Sequence, residues 1–417
     1  MGLVRSISRE IRMRIRIDHH KEIKEIAIII YAVLTFVAML SLTLMAPVIK
    51  EFIIDRFGAS NTEASMFFTL EMLAYMIFAV VWGSLSDKCG RRKPFIVLGF
   101  GGSAVLYFLM AQANSLQLLL ILRFMQGAIT VMAWSLVMTS ALDVVQRTSY
   151  GKTMGVIGMA MMLGMASGAP IGGVVAEKYG IFFPMYFASF LFLMGTLLSA
   201  TLIHDIRIEN KPETMFESVK VLVEKRELGI PYVFSFVDRF TVAFFILVFP
   251  LYLFDAFGLS IAERGLYQAL LLFPFILLQY PFGKLSDKIG RTMPLIIGSF
   301  FYGLEMCLVG FVGRTTLIAL MLGCGVFAAM MFPASIALVG DLSPGNKRGT
   351  AIGGFNVFGS LGFVAGFSAA GILSDMYGYC TSFILGGFSE MLVALVAIPF
   401  LVKLGVNRMN KRIEDGG

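Results

Sequence analysis

The chain alternates long apolar runs with short charged interruptions. Twelve runs can be traced, at 26–49, 64–86, 95–113, 116–141, 152–176, 181–203, 230–254, 264–285, 294–313, 315–340, 349–374 and 380–403. About twenty helical residues cross the roughly 30 Å hydrocarbon core of a bilayer. The runs are continuous, without the alternating segments of about ten residues that mark a membrane β-barrel. The pattern predicts an all-α membrane protein of twelve transmembrane helices. One long polar stretch, opening HDIRIENKPETMFESVK, divides them six and six. The predicted organisation is a basic N-tail over 1–25, a six-helix bundle over 26–203, a linker over 204–229, a second bundle over 230–404 and a C-tail over 405–417.

Composition agrees with this reading. Of 417 residues, 58% are hydrophobic and 15% charged, against about 25% charged in soluble domains. That is too little charge to cover a soluble surface of this size. The distribution of charge carries more than its total. Of the 34 Lys and Arg residues, 27 fall in the tails and loops of one side and five on the other; Arg123 and Arg239 lie inside runs. Basic loops stay cytoplasmic, so both termini and the linker are expected in the cytoplasm and the chain in the cytoplasmic membrane. The net charge of +7 is then an orientation signal, and no nucleic-acid partner is needed to explain it. The basic N-tail is either an amphipathic helix on anionic lipid or disordered.

The two halves repeat one another. Residues 83–94 read GSLSDKCGRRKP and residues 283–294 read GKLSDKIGRTMP. Asp143, Gly155, Gly164, Gly168 and Gly173 have identical partners 198 positions later, at Asp341, Gly353, Gly362, Gly366 and Gly371. Each half has an even number of crossings, so the repeat is parallel, about an axis along the membrane normal. In the repeated phrase, Gly90 and Gly290 suit a positive φ where a helix ends, and Pro94 and Pro294 suit the start of the next. Asp87 and Asp287 end helices, where negative charge opposes the helix dipole, so each needs a partner. The start of segment 5, around Lys152, or of segment 11, around Arg348 to Thr350, offers backbone N–H groups. Arg91 and Arg291 are placed to reach Asp143 and Asp341. Such a cluster, with Arg92 beside it, would lock the cytoplasmic ends in one conformation and release them in another.

These features resemble the major facilitator superfamily of secondary transporters. The resemblance rests on twelve segments in two halves and on G-x-L-S-D-x-x-G-R-[RT] after segments 2 and 8. In segment 4, LRFMQGA carries Arg123, Gln126 and Gly127, similar to the family's R-x-x-Q-G. In segment 5, Gly155, Gly164, Gly168, Pro170, Gly172 and Gly173 are similar to the glycine-proline motif of the drug:proton antiporter branch, with Ile129 and Ala169 as departures. The resemblance implies alternating access around a central cavity, a small-molecule substrate, membrane lipid as surroundings, a monomer, and no enzymatic activity or cofactor. A lipophilic or amphiphilic solute moved by proton-coupled efflux is the expectation. A lipid or lysolipid facilitator, or a non-transporting sensor on the same fold, are the alternatives.

Charge inside an apolar run costs about 2.5–3.5 kcal/mol on insertion scales and calls for a reason. Glu71, Arg123, Asp238 and Arg239 are the candidates for transport or proton coupling; Glu305 and Glu390 are read as structural. Segment 1 has no acid, which leaves Glu71 and Asp238 as candidate proton carriers. Gln126, Met132, Phe240, Phe244 and Asn356 are the candidate cavity residues, since thioethers and aromatic faces adapt to varied apolar ligands. The glycines of segments 5 and 11, with Gly362 and Gly366 as the second-half representatives, are expected to let the halves approach closely.

Other classes are excluded by what they would require. Gly151-Lys152-Thr153 would need Gly five positions earlier to make a phosphate loop; Gln146 stands there. The runs contain no histidine, and the four cysteines are scattered, so neither a metal site nor a disulfide is expected.

Overall fold

A computed structural model of the protein describes residues 25–145, 150–203, 225–343 and 348–415. The N-tail and most of the linker lie outside the described residues. So do the side chains of Lys152 and Arg348, at the two helix starts whose backbone N–H groups were considered for Asp87 and Asp287.

The described residues form helices and connecting turns, without strands. They are α1 (Glu25–Val48), α2 (Asn61–Cys89), α3 (Lys93–Ala111), α4 (Leu116–Asp143), α5 (Tyr150–Tyr179) and α6 (Phe183–Leu202). The second set is α7 (Gly229–Phe257), α8 (Ile261–Ile289), α9 (Thr292–Leu308), α10 (Arg314–Leu342), α11 (348–377) and α12 (379–415). The last two are separated by a bend at Gly378, whose φ of 78° and ψ of 171° break the helix. Gly180, between α5 and α6, holds the matching positive φ of 107°. The backbone of α12 runs on to Asp415, into the stretch expected to be a tail.

The packing repeats as the sequence does. In the first set α2 and α3 pack on α4, and α3 packs on α6; in the second, α8 and α9 pack on α10, and α9 on α12. The close approaches depend on glycine. A Cβ on Gly164 would meet the carbonyl of Phe36, and one on Gly168 that of Leu40, seating α5 on α1. Gly362 and Gly366 seat α11 on α7 in the same way, against the carbonyls of Phe236 and Phe240. Small residues at such a seam let van der Waals contact extend to the backbone.

This corrects the expectation for the glycine faces. Gly164, Gly168, Gly172, Gly362 and Gly366 tie helices within one set, and do not line the seam between sets. Gly155 has no atom within 4 Å of its missing side chain. The seam uses other positions: α5 meets α8 where Gly173 approaches Ile261 and Ala262, and where Gly265 approaches Ala169 and Pro170. On the opposite flank α2 meets α11, with Gly371 against Ser65 and the Phe68 and Phe367 rings stacked 5.0 Å apart.

Candidate functional site

Four polar clusters stand out, one buried in each set and one at each end of the molecule. In the first set, Glu71 of α2 and Arg123 of α4 form an ion pair with both side chains fully buried. Every arm of the guanidinium is used. Nε donates to the Phe67 carbonyl (3.3 Å), and Nη1 donates to Gln126 Oε1 (2.8 Å) and the Tyr107 hydroxyl (3.4 Å). The Phe67 ring lies 4.1 Å from the guanidinium. Tyr75 donates to the other Glu71 oxygen, and Gln126 Nε2 donates to Thr130. Gly127 makes this possible: a Cβ there would meet the Glu71 backbone at 2.9 Å. A buried pair satisfied this completely ties α2 to α4.

The buried cluster of the second set is built differently. Asp238 of α7 and Glu390 of α12 lie carboxyl to carboxyl. Thr241 donates to Glu390 Oε2 at 3.2 Å. Both Asp238 oxygens and Glu390 Oε1 lack a donor, as does the fully buried hydroxyl of Tyr302 a partner. Arg239, the next residue on α7, turns elsewhere. Its Nη1 donates to Ser235 (3.0 Å), its guanidinium faces the rings of Phe355 and Phe332, and it fills the space left by Gly359.

At the face where α1 begins and α12 ends, the repeated phrase makes two salt-bridged loops. Arg92 reaches Asp143 (2.5 Å) and Asp87 (3.3 Å); Arg291 reaches Asp287 (2.5 Å) and Asp341 (3.2 Å). Burial alone would lower the Arg291 pKa, but the hydrogen bonds to Asp287 and Asp341 prevail and hold it above the usual arginine value. In the first half the sequence pointed to Arg91, and the structure uses Arg92. The cause is the glycine. Gly90 is left-handed (φ 65°, ψ 17°), whereas Gly290 is extended in ψ (φ 91°, ψ 164°). The next helix starts one residue later in the first half, and in both halves the bridging arginine is the N-cap residue of that helix.

At the opposite face the two sets hold each other. The Asp375 carboxylate of α11 accepts from the Asn61 and Thr62 amides (3.0 and 2.7 Å) and from the Thr62 hydroxyl (2.6 Å). Glu177 of α5 accepts from the Ala262 amide at 2.8 Å. Each acid caps the N-terminus of a helix in the other set, where free N–H groups and the helix dipole favour negative charge. Glu51, after α1, pairs with the buried Arg264 of α8, and the Lys50 ammonium lies 4.1 Å from the Phe254 ring centre. Further along α5 toward the terminal face, Gly155 and Gly158 have open space before them, and Asn356 of α11 is exposed. Among the described residues, the cleft between the sets is therefore bound together at the face opposite the chain ends.

The sequence matches the model of the Major Facilitator Superfamily twice, over residues 31–237 and 231–416. The chain belongs to the major facilitator superfamily. Both halves match separately, as the internal repeat requires. Relatives include an MFS-type transporter of Methanocaldococcus jannaschii, 26% identical with 87% of this chain and 95% of that protein covered. The chain is also similar to multidrug resistance protein 2 of Bacillus subtilis (26% identical; 82% and 87% covered). The class H tetracycline resistance protein of Pasteurella multocida is likewise 26% identical, with 82% and 90% covered. Among solved structures, a nucleoside transporter superposes with a TM-score of 0.77 at 14% identity, covering 89% of this chain and 99% of that one. A bacterial homologue of the lysosomal transporter Spinster, in an inward-facing and unoccupied conformation, gives 0.75 at 14%, covering 90% and 95%. These structures share the fold.

As a member of the superfamily, the protein places several expected site residues away from the cleft. Glu71 and Arg123 satisfy each other. Gln126 is fully buried in their network, and Met132 and Phe244 are buried inside their own sets. Asp238 faces Glu390 inside the second set. Phe240 is half-buried and Asn356 exposed, so these two stay nearest to a cavity role. Sequence reasoning missed the cross-caps, although a signal was present. FGASNTE at 57–63 and FGLSIAE at 257–263 repeat F-G-x-S-x-x-E. Gly58 and Gly258 both take positive φ (64° and 63°), and Ser60–Glu63 and Ser260–Glu263 both form capping boxes. Glu177 and Asp375, each three residues before a bend glycine, are matched in the same register.

Proposed function

We propose that this superfamily member is a secondary active transporter of a small lipophilic or amphiphilic solute. It sits in the cytoplasmic membrane with both termini in the cytoplasm and works by alternating access, as proton-coupled efflux. The observation that carries this reading is the reciprocal capping that, among the described residues, joins the sets at the face opposite the chain ends: Asp375 on α2, Glu177 on α8 and Glu51 on Arg264. With the basic loops in the cytoplasm, that face is external and the cleft opens inward. The salt-bridged loops at the other face then supply the alternative set of contacts. The relatives named for multidrug and tetracycline resistance support the efflux reading.

The test is accumulation of ethidium in everted membrane vesicles under an inside-acid pH gradient. Accumulation above that of vesicles lacking the protein, collapsed by nigericin, is expected. Equal accumulation in the two preparations would remove the efflux reading.

An amphiphile such as a lysolipid is the second reading. It is favoured by an apolar cleft of about 680 Å³ between the start of α7 and the end of α12. Val233, Leu392, Val396 and Phe400 line it, with Arg226 and Lys403 beside them. That arrangement suits an acyl chain with an anionic head group. Competition of lysolipid with ethidium uptake separates the two substrates.

A further inference from the structure

The least explained feature of the molecule is the meeting of two carboxyls inside the second set. Asp238 is 4% exposed and Glu390 0%. No described residue forms an ion pair with either, and three of their four oxygens have no donor. Two ionised carboxylates in contact within a low-dielectric bundle repel strongly, and they cannot hydrogen-bond because both only accept. One proton between them supplies the missing donor and removes the repulsion.

Among the described residues, the surroundings supply few donors and no paired cation to the two carboxyls. From α7, Thr241 donates one bond to Glu390 Oε2, while Arg239 is turned to Ser235 and two aromatic rings. From α9, the Tyr302 hydroxyl lies in the field of both carboxyls without a partner, and Ser299 borders Glu390. From α10, Cys324 lies beyond Tyr302, and Glu305 of α9 sits against Cys324 and Gly323. The matched positions of the first half are Ala38 and Phe192, set by the equivalent contacts of Phe36 with Gly164 and Phe236 with Gly362, and by the bends at Gly180 and Gly378. Both are apolar and buried, so the fold itself does not require acids there.

We propose that Asp238 and Glu390 form one proton-binding site, a carboxyl pair that carries the coupling proton of the transport cycle. This rests on the proton-coupled reading above and names its carrier. With one proton the pair bears a single negative charge, offset by the nearby Arg239. Release of the proton leaves two negative charges in the bundle, on carboxyl oxygens that are buried in this conformation. The freed carboxylate then draws Arg239 out of the space beside Gly359, which alters the packing of α7 on α11. Proton loss and helix movement are thereby linked.

Infrared difference spectroscopy on the full chain in liposomes, titrated from acid to alkaline, tests the site without a substrate. The wild type is expected to show the C=O stretch of a protonated carboxyl that vanishes as pH rises. Asp238→Asn and Glu390→Gln are each expected to lose that band and to abolish pH-driven ethidium accumulation. Either variant keeps a donor between the two side chains, so melting curves close to wild type are expected; if one fails to fold, the other decides. A band unchanged in the folded variants overturns the proposal. A band present without ethidium transport by the wild type sinks the transport reading and leaves the proton site standing; transport without the band does the reverse.

Discussion

The two six-helix sets have the same backbone plan and opposite buried chemistry. In the first, Gly127 brings α4 onto the backbone of Glu71, and Arg123 answers the acid. In the second, Gly325 brings α10 onto the backbone of Leu271 at the matched place, with Met321 where the arginine would be. Leu271 and Met321 are buried and apolar. The reverse holds on the other flank, where Ala38 and Phe192 stand against Asp238 and Glu390. The repeated glycines preserve helix packing, and the charges were placed on that scaffold once each. A fully bonded ion pair ties α2 to α4 in the first set, whereas the second set holds a carboxyl pair short of a donor, the proposed proton site.

The largest expected effect comes from splitting the first-set pair. Arg123→Met alone leaves Glu71 buried without its cation, and losing one partner of a buried pair costs about 3–5 kcal/mol. Thermal unfolding in detergent should show a large drop in midpoint. The double variant Glu71→Leu with Arg123→Met copies the second set and should recover most of that stability. A double variant as unstable as the single would show that the two sets are not interchangeable here.

Next are the seams. Gly168→Leu and Gly366→Leu each drive a side chain into the backbone of the neighbouring helix, at Leu40 and Phe240, and should lower folded yield in size-exclusion chromatography. Gly155→Leu points into open space and should leave yield unchanged. Equal loss in all three would refute the division between packed and open glycines.

The cross-caps come third. Hydrogen bonds to charged groups contribute about 1.5–3 kcal/mol each to a native structure. Asp375→Ala removes three and Glu177→Ala one, so Asp375→Ala should shift the population further away from the closed external face. Labelling of a cysteine placed at Ser368 by a membrane-impermeant maleimide measures that shift. Greater labelling with Glu177→Ala would reverse the assigned order.

The smallest effect belongs to the salt-bridged loops. Exposed bridges are worth about 1 kcal/mol or less, and the Asp287 and Asp341 partners of Arg291 are exposed, whereas Arg92 is buried against partners that are 16–17% exposed. Arg92→Ala should therefore lower the melting midpoint more than Arg291→Ala, although both residues hold the same N-cap position. A silent Arg92→Ala beside a damaging Arg291→Ala would reverse that order.

Much of this architecture was legible in the chain. Run length marked the helices, and the repeated phrase located the Arg291–Asp341 bridge; the pairing of Asp287 with Arg291 was not foreseen, since Asp287 was expected at the backbone N–H groups of a helix start. Most segment boundaries fell within a few residues of the helix ends, the exception being α12, whose backbone runs on to Asp415. The site was less legible, because a helix has faces and a sequence only positions. Glu71 and Arg123 looked like cavity charges until α2 and α4 turned them toward each other. Arg91 and Arg92 differ by one residue, and a single ψ at Gly90 chose between them.

The chain by itself determined membership of a membrane fold, the twofold repeat and the positions where small residues permit close packing. These follow from local quantities: apolar length, charge count and the absence of a Cβ. Only the tertiary structure decided which charges neutralise one another, which acids cap a helix in the other half, and that Asp238 meets Glu390. Those depend on helix rotation and on contacts between distant segments, where an ångström or two separates a satisfied ion pair from a buried acid awaiting a proton.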